Sequence, residues 1–184
     1  MLARFGVRPV RVSSNQRPQR REAMTIKEGD VLPSETLRVL GDDGNPAGLR
    51  TDDYFAGKRV VMFGVPGAFT RTCSSRHLPG FVQYAEVIKG RGVDEIICLA
   101  VNDAAVMNAW GEAHGVQGKI TMLSDGNADL TRAMGMDIDR HASGMGVRSR
   151  RYAMILDDGI VRKLNVEPDG GYGASSAEKI LEDL

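Results

Sequence analysis

The chain has 184 residues, 42% of them hydrophobic, a formal net charge of zero and two cysteines. That length supports one domain with a sizeable core, and two cysteines are too few for a disulfide-stapled secreted scaffold but suit a reducing compartment. No apolar run approaches the ~18 residues of a membrane span and no secretory apolar segment opens the chain, so a soluble, cytoplasmic protein is expected.

The neutral total hides an asymmetry. Residues 1–21 carry Arg4, Arg8, Arg11, Arg17, Arg20 and Arg21 and no acid. The remainder is therefore mildly acidic and offers no electrostatic footprint for nucleic acid. Residues 1–23 are expected to lie outside the fold, as a disordered extension or a targeting peptide. They are Arg-rich and acid-poor like a mitochondrial presequence, although Pro9 and Pro18 interrupt any continuous amphipathic helix. The folded domain is expected over residues 24–184.

Along that domain, Leu37 to Leu40 reads as a short strand closed by the turn cluster Gly41-Asp42-Asp43-Gly44-Asn45-Pro46. Thr51 to Gly57 reads as a helical turn, with Thr51 as its N-cap and Gly57 as its stop. Arg59 to Val65 is a near-continuous apolar run, the pattern of a strand buried on both faces. A helix from about Thr72 to Lys89 follows, with Phe81, Tyr84, Ala85 and Ile88 at helical spacing and a kink expected at Pro79. Glu95 to Val101 is a second buried strand, and Asn102-Asp103 caps a helix from Ala104 to His114 striped by Val106, Met107 and Trp110. Lys119 to Leu123 is strand-like and Asn127 to Met134 a short helix. Arg151–Leu156 and Ile160–Asn165 flank Asp157-Asp158-Gly159, a hairpin signal. Ser175 or Ser176 caps a last helix that turns Ile180, Leu181 and Leu184 inward. Parallel crossovers first and an antiparallel hairpin last give the order of an α/β thioredoxin-like fold, a central mixed sheet with helices on both faces.

Cys73 stands in "VPGAFTRTCSS", where the first buried strand gives way to a helix. Helix N-termini expose unpaired N–H groups and a partial positive charge, and a thiol placed there is favoured as its nucleophilic thiolate. The competing reading, a packed small hydrophobe, sits poorly with the polar and cationic neighbours Arg71 and Arg76. Dithiol exchange would need a cysteine three residues on, and that position is Arg76. A metal reading of Cys73 with His77 lacks clustering among the three histidines and two cysteines; His77 is expected to pack or hydrogen-bond near the site. Met107 and Trp110 are expected in the core or at a subunit interface. Cys98, in the middle of "EIICLAV", reads as a buried core cysteine.

"PGAFTRTC" has the P-x-x-x-T-x-x-C pattern of peroxiredoxins. The longer stretches "FGVPGAFTRTCSSRHLPGF", "VNDAAVMNAW" and "DGIVRKLNVEPDG" resemble the peroxiredoxin-5, or type II, subfamily over about residues 24–184. The resemblance implies a cofactor-free thiol peroxidase acting on hydrogen peroxide and alkyl hydroperoxides. Cys73 would be the peroxidatic cysteine, and Thr70 would bond its thiolate and a peroxide oxygen. Pro66 would shape and shield the loop, and Arg151, rather than its neighbour Arg150, would hold the thiolate and the leaving oxygen. It also implies a homodimer with Phe69, Thr70 and His77-Leu78-Pro79 near the interface. The family commonly has proline where this chain has Arg71, which leaves the loop geometry open. Some relatives carry a resolving cysteine after "NVEPDG", but here that stretch is Gly170-Gly171-Tyr172-Gly173-Ala174-Ser175-Ser176. One-cysteine chemistry is therefore expected, with glutathione and glutaredoxin as reductants and thioredoxin as the alternative. A peroxide-sensing module with little turnover and an inactive scaffold are the competing functions.

Overall fold

The computed structural model describes residues 25–184, so the expectations for residues 1–23 lie outside the described residues. A seven-stranded sheet organises the chain in the order β2-β1-β5-β4-β3-β8-β9. Its centre is β3 (Arg59–Val65), β4 (Glu95–Ala100) and β5 (Thr121–Ser124), paired in parallel. On one edge β1 (Thr36–Leu40) runs antiparallel to β5 and β2 (Pro46–Arg50) antiparallel to β1. The hairpin β8 (Tyr152–Asp157) and β9 (Ile160–Val166) closes the other. This is the thioredoxin-like arrangement the element order implied.

The pleat of β3 and β4 divides the interior into two cores. Val61, Phe63, Val65, Ile96, Cys98 and Ala100 face one side, against α2 (Leu78–Lys89), α3 (Ala104–Ala113) and α5 (Ala177–Asp183). Val60, Met62, Ile97 and Leu99 face the other, with Phe55 beyond α1 (Thr51–Tyr54) and Leu130 of α4 (Asp129–Ala133). Alternation with both faces covered is why these strands read as unbroken apolar runs.

Local signals held in most places. Asp103 caps α3 by accepting from Val106 N–H at 2.8 Å, and Ser176 caps α5. Asp158 and Gly159 both take positive φ, +53° and +73°, as a two-residue hairpin turn requires. Other expectations need correction. Thr51 is not an N-cap: Arg50 holds that position, and the Thr51 hydroxyl donates to Pro33 O at 2.7 Å while accepting from Glu35 N–H. β2 went unread because "PAGLR" has Pro and Gly, almost no apolar alternation and an exposed surface. The segment before the last hairpin is a two-stranded ribbon of β6 (Asp137–Asp139) and β7 (Val147–Ser149), too short to announce itself.

The kink expected at Pro79 takes a different form. Proline has no N–H for the Ser75 carbonyl, and its ring would collide with that oxygen. The helix accommodates it with a π turn over Cys73–His77, in which Leu78 N–H reaches back to Cys73 O. This irregular turn lies at the junction the sequence singled out.

Candidate active site

The junction is held from several directions. Its loop leaves β3 at Pro66 and must pass close to neighbours at Gly67. A Cβ there would stand 3.2 Å from Arg148 Nη1 and 3.5 Å from Asn102 Oδ1, so a side chain would make the Arg148 guanidinium give way by a few tenths of an ångström. Asn102 Oδ1 accepts from Ala68 N–H at 2.9 Å. Phe69 takes φ +59°, costly for a residue with a Cβ, and keeps its ring 57% exposed. From α3, Trp110 Nε1–H donates to Ser74 Oγ at 3.0 Å, and His114 Nε2 meets Ser74 O at 3.1 Å. Trp110 and Met107 are fully buried, which places the stripe in the core; Trp110 also secures the residue following Cys73.

Cys73 does not sit in an open polar loop, as its neighbours had suggested. It is wholly buried and belongs to the core on the α2 side of the sheet. Among the described residues one polar group reaches it: Arg151 Nη2–H points at Cys73 Sγ from 3.5 Å. The same guanidinium donates through Nη1 to His77 Nδ1 at 3.0 Å. His77 Nε2 lies 2.9 Å from the Ser175 carbonyl, which can only accept, so Nε2 carries the proton and Nδ1 is the acceptor. Burial, then the Arg151 charge, pushes the imidazole pKa down to about 3. Neutral His77 is therefore the form that holds Arg151.

The support continues outward through Glu167, which sequence reasoning did not single out. Its Oε1 accepts from Gly173 N–H at 2.6 Å, Ser175 N–H at 2.7 Å and Ser175 Oγ–H at 2.9 Å. Its own N–H donates to Arg151 O at 2.9 Å. A hydrogen-bonded path thus runs from Glu167 through Ser175 and His77 to Arg151 and the thiol. The only hint in the chain was an acid ending an apolar strand in "LNVEPDG".

Of the sequence-predicted residues, Cys73 and Arg151 meet directly. Pro66 and Arg151 line a pocket of about 140 Å³ beside them, with Thr72. Thr70 sits one turn before Cys73, but its hydroxyl donates to Gly67 O at 2.8 Å, so its proton is not directed at the thiol. Arg150 does not compete for the sulfur; it is exposed on the pocket rim. Arg71 is exposed. His77 and Leu78 are wholly buried within the chain, and Phe69 is on the surface. Cys98 is fully buried in β4, and both thiols are free. Burial, and secondarily Cys73, pushes the Cys98 thiol well up. Among the described residues no group of three or more His, Cys, Asp or Glu is arranged for a metal, and no helix is long and apolar enough to cross a membrane.

The Redoxin family model matches residues 27–181. The chain is 48% identical to peroxiredoxin-2E-2, chloroplastic, of Oryza sativa subsp. japonica, over 87% of this chain and 73% of that one. It is 44% identical to peroxiredoxin-2B of Arabidopsis thaliana, over 86% and 98%. Reduced Prx3 from Vibrio vulnificus, solved in complex with H2O2, superposes with a TM-score of 0.83 at 47% identity, over 86% of this chain and 99% of that one. The chain belongs to the Redoxin family and, within it, to the peroxiredoxins.

Proposed function

We propose that this peroxiredoxin is a thiol peroxidase that reduces hydrogen peroxide and alkyl hydroperoxides at Cys73, without a bound cofactor. The observation that carries the reading is the Arg151 guanidinium held between His77 Nδ1 and Cys73 Sγ. The Cys73 thiolate attacks the terminal peroxide oxygen. An S–O bond forms, the O–O bond breaks, and the leaving oxygen takes the electron pair and then a proton. Cys73 ends as a sulfenic acid, oxidised by two electrons, and the peroxide as water or alcohol. Arg151 faces the sulfur and the charge that develops on the leaving oxygen, beside a thiol with no exposed surface. Thr70, whose proton goes to Gly67, keeps lone pairs to accept from a peroxide O–H. Pro66 walls the approach. The complex of the Vibrio vulnificus relative with H2O2 supports the substrate class.

Recycling is assigned to thiols from outside the chain. Glutathione converts the sulfenic acid to a mixed disulfide and releases water. Glutaredoxin or a second glutathione then restores the thiol. The stretch after Glu167 has no sulfur, and Cys98 is enclosed mid-strand with its thiol held protonated. A homodimer built around the exposed Phe69 loop is part of the same reading, and light scattering at micromolar concentration tests it.

The domain is read as starting by Met24. Ile26 is buried and its N–H donates to Met134 O at 2.9 Å. The cytoplasmic expectation gains nothing from the relatives, one of which is named chloroplastic; the Arg-rich residues 1–23 fit an organellar leader.

The deciding experiment measures peroxide consumption by the wild type and Cys73→Ser. Glutathione with glutaredoxin is compared side by side with thioredoxin. Turnover by wild type with glutathione, and none by the variant, is the expected result. Undiminished turnover by Cys73→Ser would sink the assignment.

A further inference from the structure

The pocket that Arg151 lines also holds two arginines that the peroxide reaction does not use. Its wall opposite Pro66 and Thr72 is built from the end of β6, the residues after β7 and the turn after β9. Three guanidiniums line it: Arg140, Arg150 and Arg151. Arg151 is engaged with His77 and Cys73. Arg140 and Arg150 are fixed through their main chains, Arg140 N–H on Gly146 O and Arg150 N–H on Met136 O, each at 2.7 Å. Among the described residues neither guanidinium has a hydrogen-bond or ion-pair partner.

Two carboxylates share the pocket wall and could have neutralised this charge. Glu167 spends Oε1 on three donors of residues 173–175. Asp169 is exposed and forms no ion pair with either arginine. An arginine on an open surface needs no partner because water solvates it. Arg140 and Arg150 instead line one concavity of about 140 Å³, Arg140 half-buried and Arg150 exposed at its rim, with a third arginine alongside. That donor set matches a carboxylate, which accepts bidentate hydrogen bonds from guanidinium forks.

We propose that Arg140 and Arg150 form a carboxylate subsite for a ligand that reacts at Cys73. The proposal rests on Cys73 being the reacting group. Neither arginine is bonded to Cys73, and hydrogen peroxide has no carboxylate for them to bind. A carboxylate-bearing hydroperoxide and a carboxylate-bearing thiol reductant both present that anionic group. The subsite therefore adds affinity for acids over their esters, and leaves the O–O cleavage to Arg151.

Two measurements test this and separate the sources. The first is calorimetric binding of S-methylglutathione to Cys73→Ser protein, with and without Arg140→Gln and Arg150→Gln. This reading needs no turnover, so it survives a failure of the peroxidase assignment. The second is the single-turnover oxidation rate with a long-chain carboxylic-acid hydroperoxide, divided by the rate with its methyl ester. On the scale of one charge-assisted hydrogen bond, removing both guanidiniums is expected to weaken one of these by about tenfold or more. An effect on binding alone assigns the subsite to the reductant, and an effect on the acid-to-ester ratio alone assigns it to the hydroperoxide. Arg150→Lys, which keeps the charge, is expected to recover part of the loss. The proposal is overturned if neither quantity moves by more than twofold. It is equally overturned if lysine behaves like glutamine, or if acid and ester slow alike.

Discussion

The two cysteines lie in the same core, on the same side of the sheet, and neither is exposed to solvent. They differ in what touches them. Cys98 stands in the middle of β4, opposite Phe63 of β3, enclosed by apolar side chains. Cys73 stands in an irregular helical turn and receives one guanidinium N–H. Burial alone therefore does not tell the two thiols apart. What distinguishes Cys73 is an oriented guanidinium, itself held by a buried chain of hydrogen bonds. The cation is useful there because low dielectric strengthens its pull on a developing charge.

The comparison predicts unequal losses on substitution. Cys73→Ser should lower peroxide turnover by about 10³-fold or more, since a nucleophile is removed outright. Stopped-flow peroxide consumption reads this directly. Arg151→Ala should cost about 10²–10³-fold with the fold retained. Arg151→Lys should recover little, because one ammonium replaces a planar fork that serves His77 and Cys73 together. Full recovery by lysine would mean that charge alone, without geometry, distinguishes the two thiols.

His77→Gln sharpens the comparison one layer out. A loss of about tenfold is expected if His77 acts by positioning Arg151. A pH signature separates this role from packing. The native imidazole pKa lies at about 3, below the ordinary value of 6.5. The unfolded state therefore binds the proton first, and stability falls as pH drops from about 6.5 toward 3. Wild type should lose about 1.4 kcal/mol per pH unit more than His77→Gln across that window. Urea unfolding at pH 7, 5.5 and 4.5 would measure the slopes, and parallel slopes would contradict a buried neutral imidazole.

The smallest effect belongs to the other cysteine. Cys98→Ala should leave turnover within about twofold and cost roughly 1 kcal/mol of stability through lost packing. Cys98→Ser should cost more, about 1–3 kcal/mol, because it buries a hydroxyl among apolar groups. A Cys73–Cys98 disulfide as the main product of one equivalent of peroxide would erase the contrast between them. It would also redirect recycling to a dithiol reductant.

The chain's own order carried a large share of this. The apolar runs of β3 and β4, the Asp103 and Ser176 caps and the Asp158-Gly159 turn are local signals, readable because helix and strand geometry impose short periods. The junction with Pro66, Thr70 and Cys73 is local too, falling within eight residues. What escaped was non-local or weakly patterned. Neither the exposed "PAGLR" strand nor the three-residue strands of the ribbon have a period to detect.

The order of the main elements, the fold class and the junction that carries Cys73 were thus readable from the sequence alone, through patterns that close within one or two turns. The tertiary structure decided how the sulfur is served. Arg151 reaches it from 78 positions away, and Ser175 meets His77 across 98. It also decided that a proline would yield a π turn, that Thr70 would spend its proton on Gly67, and that of two adjacent arginines lining one pocket Arg151 is the one that reaches the thiol. Contacts between residues so far apart along the chain have no local period to betray them, and only the packed sheet brings them together.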